Sequence, residues 1–208
     1  DMELINKKND NSFLDLIKKI YYKDRQKLFL WSLLWVNIAF NSSLFNWWCN
    51  LNNGIFSRQK IVELMSLNYK KLNRYLINGL NSLISTFEYT PIGSELKIGI
   101  VWREKNKRFV KKEGGYPFDP YVILYALYKY VQKKQIYEID IDNIENEIFS
   151  LQKILVIESK YVKNALLELN EPDMIKTNVN EENHLIVTLN NQFHPYDVIR
   201  KYIEKEQL

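Results

Sequence analysis

The sequence predicts a mainly α fold with small β-hairpins: a helical bundle carrying tandem winged helix-turn-helix-like units. Three observations predict it. Residues 57–113 read in order as a short helix, a turn, a long polar-striped helix and a basic hairpin. Residues 139–189 repeat that order in weaker form. Stretches with helical spacing of apolar residues precede, separate and follow the two.

Helical spacing begins at Phe13, Leu14, Ile17, Ile20 and Tyr21, behind Asn11 or Ser12 as cap. Asp24 to Gln26 separates this helix from the apolar run Leu28 to Phe40. That run of 13 residues falls short of the roughly 20 that span a bilayer, so it reads as a buried core helix. Asn41-Ser42-Ser43 breaks it, and Leu44-Phe45-Asn46-Trp47-Trp48 forms a further helical turn. Its aromatics face inward rather than forming a base-stacking platform, because their neighbours are apolar and bring no cation.

Ser57 caps a short helix carrying Ile61, Val62, Leu64 and Met65, and Leu67-Asn68-Tyr69 supplies the turn before a second helix beginning at Lys70. Leu72, Leu76, Leu80, Leu83 and Phe87 make its buried stripe. Lys70, Arg74, Asn78, Asn81 and Ser85 line the outer face, and Gly79 permits close helix packing. Lysine and arginine reach phosphates and asparagine reads a base edge, so Lys70, Lys71, Asn73, Arg74 and Asn78 are candidate contacts to duplex DNA. Beyond Pro91 and Gly93, two β-rich runs flank the turn Glu104-Lys105-Asn106-Lys107. Residues 97–113 hold seven cations against two acids, a net of +5. Arg103, Lys105, Lys107 and Arg108 complete the candidate DNA-binding set, against the plainer reading of a charged edge that resists pairing with another chain.

Gly114-Gly115-Tyr116-Pro117 closes the hairpin, and Asp119-Pro120 starts a helix whose buried side is Val122, Ile123, Ala126, Leu127, Tyr130 and Val131. Lys129, Lys133 and Lys134 end it where the dipole favours positive charge. Ile139 and Ile141 form a short strand or the approach to a helix carrying Ile144, Ile148 and Phe149. Residues 150–156 and 159–169 then read as a second helix pair, 174–179 and 184–189 as a second hairpin with an acidic tip, and 196–206 as a terminal helix.

Charge divides the chain sharply. Residues 1–134 carry 22 Lys and Arg against 11 Asp and Glu, whereas 135–208 carry 7 against 14. The expected organisation is therefore a basic helical and winged-helix domain, 1–134, and an acidic second winged-helix-like domain, 135–208. The basic part meets polyanions and the acidic part a protein partner. The single Cys49 excludes an internal disulfide framework and a Cys-rich zinc site, and fits a reducing cytoplasm. Asp1 to Asp10 is too polar for a signal peptide, and Asp before Met fits a processed product, an expression remnant or a piece of something longer. The six glycines form no phosphate loop, His184 and His194 lack partners at ligand spacing, and Asp140, Asp142, Glu145 and Glu147 lack the glycine turn of a calcium loop. The sequence thus predicts no enzyme, cofactor or metal.

Residues 34–47, 86–96 and 119–129, which include Trp35-Val36-Asn37, Tyr89-Thr90-Pro91-Ile92-Gly93 and Asp119-Pro120-Tyr121, resemble the domain of unknown function 4007 family. The resemblance spans roughly residues 13–135. It implies a role in bacterial DNA sulfur modification (phosphorothioation) and defence, beside or fused to a phosphoadenosine phosphosulfate reductase-like protein. No catalytic residue carries over, since the reductase's Ser-Gly-Gly nucleotide loop is missing here. A sulfur-transfer or defence protein is the implied protein partner, and docking such an enzyme is the alternative function.

Overall fold

A computed structural model describes residues 13–25, 27–69 and 71–207. Asp1 to Asp10, the Asn11 or Ser12 cap and Lys70 lie outside them. Ten helices account for most of the described structure, with two small three-stranded antiparallel sheets.

The chain opens with α1 (Phe13–Lys23) and α2 (Leu28–Asn41), then turns through 103° into α3 (Ser43–Asn50). The first unit follows as β1 (Gly54–Ser57), α4 (Arg58–Asn68), α5 (Arg74–Tyr89), the short α6 (Pro91–Ser94), β2 (Ile100–Glu104) and β3 (Lys107–Lys112). Its strand order is β1-β3-β2. After α7 (Pro120–Lys134) come β4 (Glu138–Asp140), α8 (Leu151–Leu155), α9 (Ser159–Glu168), β5 (Ile175–Val179), β6 (Leu185–Leu189) and α10 (Pro195–Lys205). The second sheet runs β4-β6-β5. The two units share one plan: a leading helix (α3 or α7), a strand, two helices, then a hairpin whose last strand pairs with the first strand.

Local chemistry fixes the boundaries. Ser57 Oγ accepts from Lys60 N at 3.1 Å to cap α4, and Asp119 Oδ1 accepts from Tyr121 N at 2.8 Å to cap α7, with Pro120 at its first position. At α10 the cap is His194: its ring accepts from Tyr196 N while Asp197 Oδ2 accepts from His194 N at 2.7 Å. The expected helix through Ile144 and Ile148 does not form. Asp140 Oδ1 instead accepts from the amides of Asp142 and Asn143, and this Asx turn draws the backbone away from helical pairing.

The core is continuous from Phe13 to Ile203. Its axis is α7, buried on every side from Tyr121 to Val131, Lys129 included, because α2, α8, α9 and α10 all pack on it. Sequence periodicity marks only one buried side of this helix; packing covers the rest. Trp35, fully buried, donates from Nε1 to Ile154 O at 2.7 Å, and Gly115 N donates to Val156 O at 2.9 Å, so the end of α8 is tied to α2 and to the segment after β3. Gly114, at φ +72°, admits no side chain there: a Cβ would lie 2.0 Å from Val156 O. Among the described residues no single helix is long and apolar enough to cross a membrane.

Candidate nucleic-acid interface

The candidate residues fall on α5, on the turn before it and on the β2–β3 hairpin. α5 begins at Arg74, four residues later than the expected start at Lys70. Asn73 sets that start: its Oδ1 accepts from Leu76 N at 3.0 Å, so the carboxamide is engaged as cap. Lys71 is consequently an exposed turn residue rather than a helical one. Arg74 and Asn78 lie exposed on the first half of α5, while Leu80, Leu83, Ile84 and Phe87 face the core. Gly79 allows the approach of α3, since a Cβ would lie 2.8 Å from Leu44 Cδ2.

Two residues that periodicity did not single out join this face. Tyr75 is 85% exposed, one residue from Arg74 and three from Asn78. Arg58, at the start of α4, donates from Nη2 to Asn81 Oδ1 at 3.2 Å and brings another cation beside α5. The available signals were an aromatic residue off the buried stripe and an arginine directly after a cap.

The hairpin turns through Lys105 and Asn106, both with positive φ (47° and 64°), the geometry of a tight hairpin turn. Register places Arg103 opposite Arg108 and Glu104 opposite Lys107. The two arginines grip one carboxylate on α5: Arg103 Nη2 lies 3.2 Å from Glu88 Oε1 and Arg108 Nη2 3.3 Å from Glu88 Oε2. They thereby lock the hairpin onto α5, and Glu88 offsets part of their charge. Lys105 and Lys107 are exposed at the tip.

Lys112, counted in the basic segment, is not part of that surface. β3 pairs with β1 at Gly54↔Lys112, which turns the side chain inward, and it is 3% exposed. Its Nζ donates to Cys49 O at 2.6 Å and Leu51 O at 2.5 Å, carbonyls at the C-terminal end of α3. Burial lowers its pKa to about 8. Cys49 beside it is buried, and desolvation pushes its thiol up to about 12.

The second unit is charged differently. On α9, Lys160 pairs with Glu158 at 2.9 Å and Lys163 with Asp142, and the β5–β6 turn carries the exposed Glu181 and Glu182. Asp140, Asp142 and His184 bring potential ligand atoms within 4.8 Å of one another. These atoms are already engaged: His184 Nδ1 lies 2.9 Å from Asp140 Oδ2, which also accepts from Asn143 Nδ2, and Asp142 Oδ2 accepts from Leu185 N. The hydrogen bond to Asp140 holds the His184 pKa above its ordinary value. The cluster ties β4 to the second hairpin. Comparison with protein-family models, curated proteins and solved structures finds no match for this chain.

Proposed function

We propose that this chain is a non-catalytic module that binds duplex DNA through the first of two winged-helix-like units. The single observation that carries this reading is the arrangement α3–β1–α4–α5–β2–β3 with strand order β1-β3-β2, joined to a polar, exposed N-terminal half of α5 and a cationic hairpin tip. In this geometry α5 enters the major groove by its first turns, with Arg74, Tyr75 and Asn78 toward base edges. Lys71, Lys105 and Lys107 take the flanking phosphates. Arg103 and Arg108 hold the hairpin at the angle from which its tip reaches the backbone. What supports setting this binding in bacterial DNA sulfur modification or defence is the sequence resemblance to the domain of unknown function 4007 family alone.

A second reading, docking of a sulfur-transfer enzyme, is favoured by the second unit alone. Its α9 exposes Tyr161 and Leu167 and its hairpin tip carries Glu181 and Glu182, apolar and acidic features unsuited to phosphate. Mobility-shift titrations of the whole chain with duplex DNA, at low and moderate salt, separate the two: salt-sensitive complexes support the first reading, and no complex at low salt supports the second.

A further inference from the structure

A cavity of about 550 Å³ opens where α2 turns into α3, roofed by Asn68 and Tyr69 at the end of α4 and walled on the far side by Lys133 and Phe149. We propose that it binds a phosphate monoester carried on a flat aromatic body, such as a nucleoside monophosphate. The site is separate from the exposed face of α5, and the inference does not depend on DNA binding.

Four features of the cavity point to an anion. The first is an uncapped helix end. Ser42 closes α2 with its own amide, donating to Ile38 O at 2.9 Å, but its side chain makes no capping bond to α3. The first-turn amides of α3, beginning at Ser43, have no intrahelical acceptor, and the helix dipole adds partial positive charge there. The second is Lys133, whose Nζ uses one bond on Phe40 O at 3.2 Å and sits 4.2 Å from the centre of the Phe149 ring. An ammonium group has three donors, so capacity remains. The third is Asn46. It is 7% exposed and its Oδ1 accepts from Asn50 Nδ2, yet its Nδ2 has no partner. A buried donor without an acceptor costs stability unless something supplies one. The fourth is the lining itself, which includes no carboxylate among the described residues.

The remainder of the wall is aromatic. Phe40 and Phe149 stack at 5.5 Å, and Trp47 and Tyr69 stand 6.5 Å apart across the α3 end. Donors and ring faces lining one cavity match an anionic headgroup on a flat apolar body better than a free inorganic anion. The volume lies within the usual range of small-ligand sites.

Calorimetric titration of the whole chain with phenyl phosphate and a nucleoside 5′-monophosphate, against inorganic phosphate and the free nucleoside, tests this. Saturable binding of the two esters and weaker binding of both controls are expected. Lys133→Met should weaken the esters about tenfold or more, the loss of one charge-assisted hydrogen bond. Ser43→Asp places a carboxylate at the first position of α3, where it favours the helix and repels the anion. It should abolish ester binding with the melting temperature held or raised, a result that damage to the fold cannot produce. The proposal is overturned by absence of saturable ester binding, by inorganic phosphate binding as tightly as the esters, or by ester affinity unchanged in both variants.

Discussion

Lys112 carries its ammonium group into the interior, where two carbonyls at the end of α3 receive it. Its folded pKa, about 8, lies below the ordinary 10.5. Between those pH values the unfolded chain holds more protons, so the contribution of this group to stability rises as pH climbs. Denaturant titrations of the wild type and Lys112→Met, from pH 7.5 to 10.5, should show their difference in unfolding free energy shifting toward the wild type by up to about 3 kcal/mol. The Cys49 thiol acts in the opposite sense above its ordinary 9.0, and the Lys112 charge partly offsets its burial, so the comparison reads Lys112 most cleanly below pH 9. A difference independent of pH contradicts the buried setting. Sequence gave no warning of this role. Lys111, Lys112 and Glu113 look alike as solvated charges, and only the pairing of Gly54 with Lys112 decides which one turns inward. Ser57 and Asp119 were legible as caps because a capping bond spans only two or three residues.

At the level of the element, the β2–β3 hairpin divides its cations between two tasks. Lys105 and Lys107 are exposed at the tip, where the proposed binding uses them on phosphate, whereas Arg103 and Arg108 are turned toward Glu88. Replacing both lysines with alanine should reduce the slope of log affinity against log salt by about 2, close to one unit per lost phosphate contact, with the melting temperature unchanged. Arg108→Ala should lower stability by up to about 1 kcal/mol, the scale of a partly exposed ion pair, since its side chain is 28% exposed. Equal losses of salt slope from both changes, measured by fluorescence anisotropy, contradict this division. The hairpin was readable from its two β-rich runs and polar turn, and the buried stripe of α5 from Leu76 to Phe87, because both patterns are local. The start of α5 was misplaced because Lys70 to Leu72 fits helical spacing, while the cap at Asn73, three residues later, ends the competition. Likewise, Ile144 and Ile148 keep helical spacing, but the turn at Asp140 wins.

For the whole molecule, the change of charge near residue 134 belongs to the surface, and the core continues across it. α7 is buried on all sides by helices from before and after that point, and Trp35 finds its acceptor on α8. A fragment ending at Lys134 exposes much of the Tyr121 to Val131 surface and leaves the Trp35 indole without its partner. It is expected to melt without cooperativity by circular dichroism; a sharp, native-like transition contradicts the continuous core. Apart from β1, which only its pairing with β3 reveals, the duplicated order of elements was visible in the sequence, since each unit keeps its own caps and turns. The packing between them was not, because bonds such as Trp35 to Ile154 join residues far apart in the chain. The proposed binding of duplex DNA by the first unit, through α5 and the hairpin tip, is tested most directly by the salt dependence of binding by the intact chain. Fluorescence anisotropy with a labelled duplex should give affinity that falls linearly on a log–log plot as salt rises, with a slope reduced in the Lys105→Ala/Lys107→Ala variant. Absence of a complex at low salt, or a slope identical in wild type and variant, contradicts it.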